Sequence, residues 1–389
     1  MKKKIAIVFN RMIVGGAEKA LINLLKAIDT TRYDVTLFTY DHNSAYLEEI
    51  PSEIDVQFTK VIDVNELLIN DLKKCRLNSY IRNLFHRICI RLCRNEYKKI
   101  IHSMHCLPKF PGQFDCVMAY KLNYEDTATA VCRINAAKRC VVVHSSVGKT
   151  PITDDNYIAI ACKYFDRFFC VSEELKNDLS TIWHGCIGKA SVLHNIMPIE
   201  DIMKLAEIKI GQTFPKFSIA TVGRLSSEKG QQMIPETARM LVDAGYDIHW
   251  YLVGDGPLRE EVEREIEKHG VSDRVTLLGT QSNPYPYIKN CDIYVQPSFS
   301  EGWGLTVQEA RILHKPIVTT PVPVFGEQII SGENGLIVDA MTPKALFEGI
   351  KTLIDHPEMR EKFVENLEKE DHDNSKEMQK LYDFIEGKE

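Results

Sequence analysis

The stretch FSIATVGRLSSEKGQQMIPETARMLVDAGYDIHWYLVG, residues 217–254, shows most directly how this chain folds. It contains an apolar run, a short loop that is rich in glycine and charge, a helical pattern and a second apolar run. This order predicts a strand, a loop, a helix and a strand parallel to the first, because parallel strands need a long crossover connection. The strands are apolar throughout because helices cover both faces of such a sheet.

The same alternation of strands and helices recurs on both sides of this stretch. Further strands are predicted at 274–279 and 291–298, and the first half of the chain supplies strands at 33–40, 114–120, 138–144 and 168–172. At 389 residues the chain is too long for one ordinary domain. We therefore predict an α/β protein with two facing Rossmann-like domains, each built on a parallel sheet, and a cleft between them.

The predicted domain boundary lies in the polar, proline-containing segment HNIMPIEDI. The first domain is expected to span residues 1–195. The second is expected to span 196–389, and its last helix has the option of packing back on the first domain. Ligands of open parallel sheets bind beyond the carboxyl ends of the strands. The candidate positions at those ends are Gly15, Gly16, Tyr120, His144, Gly223, Arg224, Gly254, Asp255 and 298–301.

Composition excludes several classes of protein. A formal net charge of −6 argues against a dedicated nucleic-acid binder. The eleven cysteines are scattered without a C-x-x-C pair, which is typical of reduced cysteines in a cytosolic protein. MKKKIAIVFN lacks the apolar segment and cleavage site of a signal peptide, and no run is long enough to cross a membrane. We therefore expect a cytoplasmic location.

The loop GRLSSEKG, residues 223–230, carries two cations at the entrance of a helix. Arg224 and Lys229 suit a diphosphate, because charge-assisted hydrogen bonds to phosphate are strong and the helix dipole favours an anion. The alternative is a solvated turn with surface charges. The turn GDGP, residues 254–257, is uninformative alone and gains weight only from its place at the same edge of the sheet.

The segment VQPSFSEGWGLTVQEA, residues 295–310, places Glu301 and Glu309 eight positions apart. Gly302 and Gly304 would let the backbone approach a ligand. A helix is predicted to begin near Gly304 and Leu305, with its free N–H groups facing an anion. Since carboxylates accept hydrogen bonds from hydroxyls, a diphosphate between two hydroxyl-bearing rings explains both glutamates. The alternative is that Glu301 caps the helix and Glu309 pairs with a surface lysine.

These motifs carry a family resemblance. The segments GGAEKALINLL, VGRLSSEKG, VGDGPLREEVE, VTLLG, DIYVQPSFSEGWGLTVQEA and SGENGLIV together resemble glycosyltransferase family 4, the retaining glycosyl transferases of group 1. The resemblance is dense from about residue 217 to 340 and sparse in the first half. It implies the GT-B architecture, in which the first domain, 1–195, would bind the acceptor and the second, 196–389, the nucleotide sugar. It also implies a hexosyltransferase of cell-surface polysaccharide or glycolipid biosynthesis.

The resemblance also implies residue roles. Arg224 and Lys229 would neutralise the leaving diphosphate, Glu309 would bind the ribose, and Glu301 would bind the donor sugar. His144 would approach that sugar from the acceptor side, with a structural hydrogen bond as its alternative. The remaining positions would contact the donor largely through their backbone; they are Gly15, Gly16, Gly223, Gly254, Gly302, Trp303, Gly304, Leu305 and Thr306.

The same resemblance implies a donor and the absence of a cofactor. UDP is the commonest donor nucleotide of the family, and the acceptor would be a glycan or a polyprenyl-diphosphate-linked sugar. No D-x-D follows a predicted strand and no cluster has metal-ligand spacing, so we expect a metal-independent reaction without a cofactor. The sequence departs from the family pattern in two places. Trp303 stands where the family often has Phe, a tolerated change of one aromatic for another. The segment PVPVFGEQI at 321–329 replaces a glycine-rich turn of many relatives and affects the fit around the donor base or sugar.

A basic segment stands out in this acidic chain. Between Asp71 and Lys109 there are ten lysines and arginines against two acids. On a helical wheel, one apolar arc is bordered by a cationic stripe, as in helices that lie on anionic membranes. The arc comprises Leu77, Ile81, Leu84, Phe85, Ile88 and Leu92, and the stripe comprises Arg76, Arg87, Arg91, Arg94 and Lys98. The hypothesis is peripheral binding at the inner face of the cell membrane; the alternative is a core-packed helix with a solvated edge.

Two other functions remain open from the sequence. A UDP-sugar 2-epimerase shares the two-domain architecture but would turn over its donor without an acceptor. A non-catalytic sugar-nucleotide-binding subunit would bind without transfer. A Rossmann dehydrogenase is disfavoured, because no G-x-G-x-x-G follows the first strand.

Overall fold

The computed structural model describes residues 2–11, 15–42, 44–59, 77–94, 96–107, 109–145, 161–214 and 216–388. The chain divides into two compact units. Unit 1 comprises Met1–Ile196 together with Asn374–Glu389, and unit 2 comprises Met197–Asp373. The division lies one residue beyond the predicted boundary, and the last helix belongs to unit 1.

Unit 1 is built on a seven-stranded sheet with the order β3-β2-β1-β4-β5-β6-β7. Every neighbouring pair is parallel. The strands are β1 (Lys3–Val8), β2 (Tyr33–Thr39), β3 (Asp55–Phe58), β4 (Phe114–Ala119), β5 (Ala136–Val143), β6 (Arg167–Cys170) and β7 (Ala190–Val192). The central strands are apolar and buried, as expected where helices cover both faces.

The helices of unit 1 connect these strands. They are α1 (Gly16–Ala27), α2 (Leu77–Leu92), α3 (Glu96–Cys106), α4 (Tyr124–Cys132), α5 (Glu173–Ile182) and the C-terminal α13 (Glu377–Glu386), with 3₁₀ turns at Ala45–Glu49 and His184–Cys186. Helix α13 buries Leu381 and Ile385. The hydroxyl of Tyr382 on the same helix accepts a hydrogen bond from the Asp29 N–H at 2.9 Å. The end of the chain is therefore part of the core of unit 1.

Unit 2 is built on a six-stranded parallel sheet with the order β10-β9-β8-β11-β12-β13. The strands are β8 (Phe217–Val222), β9 (Ile248–Val253), β10 (Val275–Gly279), β11 (Ile293–Gln296), β12 (Ile317–Thr319) and β13 (Leu336–Ile337). The helices are α6 (Ile199–Ala206), α7 (Ile234–Asp243), α8 (Arg259–Lys268), α9 (Tyr285–Asn290), α10 (Leu305–Ile312), α11 (Pro343–Asp355) and α12 (Pro357–Lys369), with 3₁₀ turns at Ser227–Lys229, Gln231–Met233 and Pro323–Glu327. The prediction of two parallel-sheet, Rossmann-like domains is confirmed.

The loop after β8 differs from its predicted form, because the helix begins at Ile234 and two 3₁₀ turns precede it. Gly230 separates these turns in the left-handed conformation, with φ of 69°. A Cβ on Gly230 would lie 1.9 Å from the carbonyl oxygen of Pro297, which follows β11. Only glycine allows the two loops to approach this closely.

One expectation about cysteine is wrong. Cys162 and Cys186 form a disulfide with a Cα–Cα distance of 5.9 Å, although the sequence suggested reduced cysteines throughout. Their separation of 24 residues hid the pair, because pairing depends on geometry that spacing alone does not reveal. The free cysteines in the described ranges are mostly buried.

The basic segment also differs from its prediction. Helix α2 ends at Leu92 and α3 begins at Glu96, so Arg94 lies between the helices and Lys98 lies on α3. The single cationic stripe is therefore wrong, and Arg76 lies outside the described residues. The core-packed alternative is wrong as well, because Phe85 is 60% and Leu92 is 77% exposed. Among the described helices, none combines the length and the apolar character needed to span a membrane.

Candidate active site at the carboxyl end of the second sheet

Three loops of unit 2 meet where neighbouring strands β9, β8 and β11 end. Their backbones are hydrogen-bonded to one another. The Leu225 N–H donates to the Asp255 carbonyl at 3.1 Å, and the Phe299 N–H donates to the Glu228 carbonyl at 2.8 Å. The predicted motifs GRLSSEKG, GDGP and SFSEGWG therefore form one continuous surface.

Glycine is required where two of these loops touch. Gly254 has φ of 140°, and a Cβ there would lie 2.0 Å from the carbonyl oxygen of Gly223. Gly256 meets the same restriction, since its Cβ would lie 2.4 Å from the carbonyl oxygen of Leu225. Packing between strand ends explains Gly254, so a donor contact is not needed to account for it.

Lys229 and Glu301 are brought together by the structure. The Lys229 ammonium donates to both carboxylate oxygens of Glu301 at 2.7 Å. The Glu301 side chain is only 6% exposed, whereas that of Lys229 is 25% exposed. The family resemblance implies contacts of these two residues with different parts of the donor, and the structure shows them as a direct ion pair.

Arg224 lies on the same loop as Lys229 and is exposed. Its carbonyl accepts a hydrogen bond from the Gln231 amide at 2.9 Å. Burial tends to raise the pKa of the neighbouring Glu228, but the hydrogen bond from Ser226 and the charges of Lys229 and Arg224 outweigh it, and the net pKa is lowered. The loop therefore combines an exposed guanidinium with a half-buried ammonium.

Glu309 lies one turn into α10 and is 1% exposed. A pairing with a surface lysine, the alternative for this residue, does not fit such burial. Gly304 is the N-cap of α10, in the left-handed region with φ of 82° and without a side-chain cap. The alternative in which Glu301 caps the helix is therefore wrong.

The segment that departs from the family pattern shapes this N-terminus. A Cβ on Gly304 would lie 2.8 Å from Cε1 of Phe325, which belongs to the 3₁₀ turn Pro323–Glu327. The Gln328 side chain donates to the carbonyl of Trp303. Phe325 and Gln328 thus contact the loop and first helical turn that contain Gly302, Trp303, Leu305 and Thr306.

His144 lies at the end of β5 in unit 1. Its ring packs against Tyr120, with centroids 5.0 Å apart, and hydrogen-bonds the Tyr120 backbone. Burial, with a smaller contribution from the charge of Lys121, lowers the pKa of His144 to about 4. Its buried Nε2 atom has no hydrogen-bond partner in the described structure. The imidazole is neutral at pH 7 and leaves one nitrogen available.

The glycine turn of unit 1 is less informative. Gly15 is the N-cap of α1 with φ of −176°, an extended conformation that any residue adopts. Gly16 is the first residue of the helix. Their contacts with a donor stay predictions.

Comparison with known families shows what the part of the chain around this site is similar to. The sequence model described as "Glycosyl transferases group 1" matches residues 207–370, which include all three loops. This part of the chain, and with it the candidate site, carries the group 1 glycosyltransferase domain. The chain is a transferase, and the resemblance seen in its motifs is confirmed at this level.

Two relatives illustrate the extent of the match. This glycosyltransferase is 26% identical over 355 residues to an uncharacterised glycosyltransferase of Methanocaldococcus jannaschii, covering 91% of this chain and 88% of the relative. It is 25% identical over 178 residues to the N-acetylgalactosamine-N,N'-diacetylbacillosaminyl-diphospho-undecaprenol 4-alpha-N-acetylgalactosaminyltransferase of Campylobacter jejuni. That second match covers 45% of this chain and 47% of the relative, less than half of either.

A solved structure supports the fold of this glycosyltransferase. The Anabaena protein HepE, determined in complex with UDP and glucose, superposes with a TM-score of 0.71 at 16% identity. The superposition covers 99% of this chain and all of HepE. The predicted GT-B fold is confirmed.

Sequence reasoning missed polar residues in both units of this glycosyltransferase. In unit 2, Tyr294, Gln296 and Ser298 are fully buried beneath Glu301. In unit 1, Asp126 is buried and accepts a hydrogen bond from the backbone N–H of Asn10 at 3.0 Å. The available signal in unit 2 was a glutamine and a tyrosine inside an otherwise apolar strand, IYVQ.

Proposed function

We propose that this chain is a retaining hexosyltransferase of family 4 that uses a nucleotide diphosphate sugar, with UDP as the favoured nucleotide. The acceptor would be a glycan or a polyprenyl-diphosphate-linked sugar in cell-surface polysaccharide or glycolipid biosynthesis. The observation that carries the proposal is the ion pair between Lys229 and a nearly buried Glu301 at the end of the second sheet. A carboxylate held this firmly, next to cations, suits a ligand that has both hydroxyls and phosphates.

The cations would meet the charge that develops on the leaving diphosphate. A lysine ammonium has three donors, and Glu301 accepts two hydrogen bonds from Lys229, so one N–H stays available for a phosphate oxygen. Arg224 is exposed on the same loop and offers a planar, bidentate donor. The first N–H groups of α10 would add a third contribution, since a helix N-terminus favours anions. Together they would stabilise the transition state without a divalent cation.

The two glutamates would bind the sugar parts of the donor. Glu301 would accept hydrogen bonds from the hexose, and Glu309 from the ribose. The neutral His144 of unit 1 would hydrogen-bond the donor sugar on the acceptor side, in keeping with its lowered pKa. Gly16 would let the start of α1 approach the diphosphate, and Gly15, Gly223 and the backbone of residues 302–306 would complete the contacts.

Product analysis tests the reaction. The purified enzyme would be incubated with four donors: UDP-glucose, UDP-galactose and the two corresponding UDP-N-acetylhexosamines. Polyprenyl-diphosphate saccharides would serve as acceptors. Retention predicts an α-linked product from an α-linked donor, and the activity should survive EDTA. A β-linked product would contradict retention. Donor turnover without an acceptor would support the epimerase alternative, and binding without turnover would support the non-catalytic subunit.

Helix α2 favours a membrane-bound acceptor. Its exposed apolar residues fall on one face at helical spacing: Ile81, Leu84, Phe85, Ile88 and Leu92. The opposite face packs on α3 and contains the fully buried Asn83 and the half-buried His86. Helix α2 contains no acid, and Arg87 and Arg91 border the exposed face. An apolar face with cationic edges matches an anionic lipid surface, with Arg87 and Arg91 reaching the phosphates.

Vesicle flotation tests this part of the proposal. The wild-type protein should float with vesicles that contain phosphatidylglycerol and stay behind with pure phosphatidylcholine. Reversing the charges of Arg87, Arg91 and Arg94 to glutamate should abolish flotation. The matched control reverses three exposed cations of unit 2, Lys209, Arg264 and Lys344, and should still float. Equal loss in both triple variants would show that net charge alone drives binding.

A further inference from the structure

Strand β11 carries polar side chains in the interior of unit 2. Tyr294 and Gln296 are fully buried, and so is Ser298 just beyond the strand. Central strands of parallel sheets are ordinarily apolar, because a buried polar group is costly unless it is hydrogen-bonded. These side chains therefore need an explanation.

The amide of Gln296 is hydrogen-bonded on both sides. Its Oε1 accepts from the Tyr294 hydroxyl at 2.7 Å and from the Thr306 hydroxyl at 3.1 Å. Its Nε2 donates to the Ser298 hydroxyl oxygen at 2.9 Å and lies 3.5 Å from Oε1 of Glu301. Four partners fix the amide in one orientation.

Ser298 extends this network to the active site. Its hydroxyl donates to Oε1 of Glu301 at 2.8 Å, the same oxygen that Lys229 contacts. The Thr320 hydroxyl donates to the backbone carbonyl of Ser298 and holds the loop from the neighbouring strand. Glu301 is thus held by Ser298 on its buried side and by Lys229 on its solvent side.

The network also reaches the helix that carries Glu309. Thr306 is the second residue of α10, and Glu309 follows it by three positions on the same helix. Burial raises the pKa of Tyr294 most, and the charges of Glu309 and Glu301 add to that effect, so both carboxylates lie near its hydroxyl. Gln296 therefore contacts the segments that bear each glutamate.

We propose that Gln296 is a positioning residue that couples the two carboxylates of the donor site, holding Glu301 through Ser298 and the first turn of α10 through Thr306. The inference rests on the proposed function, in which Glu301 contacts the donor hexose and Glu309 the ribose. The coupling sets the distance between the two carboxylates, and hence the spacing of hydroxyls that a nucleotide sugar must present. A nucleotide without its sugar uses only the Glu309 half of this arrangement.

Binding measurements with two probes test the coupling. UDP and UDP-glucose would be titrated into the wild type and into Gln296→Met, which keeps the side-chain length and removes the amide. Loss of hydrogen bonds that orient a charged group should weaken UDP-glucose binding roughly tenfold or more, while UDP binding changes less than about threefold. Equal weakening for both probes would overturn the proposal.

The variant Gln296→Glu should make the affinity for UDP-glucose depend on pH, which a merely structural role of Gln296 would not do. At pH 8 a carboxylate at this position would repel Glu301, and UDP-glucose binding should be weak. Burial beside a like charge raises the pKa of a carboxylate, so lowering the pH from 8 to 6 favours the protonated form. The protonated acid donates and accepts hydrogen bonds like the amide, and binding should recover at least in part. No recovery at pH 6 would contradict the proposal.

The control is Thr221→Val on the neighbouring strand β8. Thr221 is buried, its hydroxyl donates to the Val295 carbonyl at 2.7 Å and accepts from the Trp250 indole at 3.1 Å. Among the described residues, its hydroxyl forms no hydrogen bond with the side chains of the Gln296 network. This variant should lower stability while the ratio of UDP to UDP-glucose affinities stays that of the wild type.

A measurement without ligand separates failure of the coupling from failure of the proposed function. We would measure the unfolding free energies of Ser298→Ala, Thr306→Val and the double variant. The same three variants would then be measured in a protein that also carries Gln296→Met. Non-additivity should be present in the wild type and vanish in Gln296→Met. Additive effects in the wild type would refute the coupling. If the wild type binds neither probe but the non-additivity is present, the choice of a UDP-sugar fails and the network stands.

Discussion

At the scale of single residues, the ion pair of Lys229 and Glu301 gives the sharpest prediction. Lys229→Met would leave the nearly buried Glu301 with Ser298 as its main partner. Removing one member of a largely buried pair destabilises a protein more than removing both. Because Lys229 is partly exposed, we expect the free energy of unfolding to fall by only about 1–3 kcal/mol. Lys229→Met combined with Glu301→Gln should recover part of this loss in urea unfolding. A double variant less stable than the single one would contradict the pairing.

Asp126 predicts a pH dependence of unit 1. Burial raises its pKa to about 7, against the opposing hydrogen bonds from Asn10 and Asn123. In the unfolded chain the pKa is about 3.9, so between pH 4 and 7 the unfolded state releases a proton that the folded state keeps. Unfolding therefore becomes more favourable as the pH rises through this range.

The variant Asp126→Asn should remove this contribution. The melting temperature of the wild type should fall relative to that of Asp126→Asn between pH 5 and pH 8. The control is Asp166→Asn, since Asp166 is an exposed carboxylate that also accepts a backbone N–H, that of Arg139, at 2.8 Å. An identical pH profile for the wild type and Asp126→Asn would show that the carboxyl group ionises normally in the fold.

At the scale of elements, the N-terminus of α10 depends on Gly304. Alanine at this position would be strained by the positive φ, and its Cβ would clash with Cε1 of Phe325. We expect Gly304→Ala to cost about 2–4 kcal/mol, of which the backbone alone accounts for about 1–2. Gly332 provides the control, because it has φ of 83° and nothing within 4 Å of its would-be Cβ. Similar losses in both variants would remove Phe325 from the explanation.

Helix α2 predicts an unusual tolerance to polar substitution. Phe85→Ser and Leu92→Ser should leave the melting temperature within about one degree of the wild type, because exposed side chains contribute little to the core. Leu381→Ser in α13 should lower it strongly, since Leu381 is fully buried. A strong loss from Phe85→Ser would show that the apolar face of α2 is covered in solution.

The elements also show what the sequence could and could not reveal. Strand positions and the start of α10 followed from apolar periodicity and glycine placement, since these signals are local. The break between α2 and α3, the disulfide of Cys162 and Cys186, and the Lys229–Glu301 pair did not follow. Each depends on tertiary contacts, which bring together residues far apart in sequence or override a local pattern.

At the scale of the whole molecule, the two units carry different parts of the predicted chemistry. The two loops with Lys229 and Glu301 belong to unit 2, and His144 with its unpartnered Nε2 belongs to unit 1. The group 1 match covers most of unit 2 and does not reach the described strands of unit 1. This division explains why the sequence predicted the two parts of the site unequally well. The proposed donor residues lie in dense motifs of unit 2, whereas the proposed acceptor-side residue His144 lies in a unit with few motifs.

The donor site is tested most directly by nucleotide binding. A thermal-shift screen of UDP, GDP, ADP, CMP and dTDP would first identify the nucleotide, with UDP expected. Calorimetry would then measure the affinity of the wild type and of Glu309→Ala for that nucleotide. Binding at a hundredfold excess over Kd should stabilise the wild type by about 2.7 kcal/mol. We predict binding of one nucleotide by the wild type and at least tenfold weaker binding by a folded Glu309→Ala, since a hydrogen-bonded charged group is lost. Unchanged affinity in that variant would place the nucleotide elsewhere and contradict the proposed donor site.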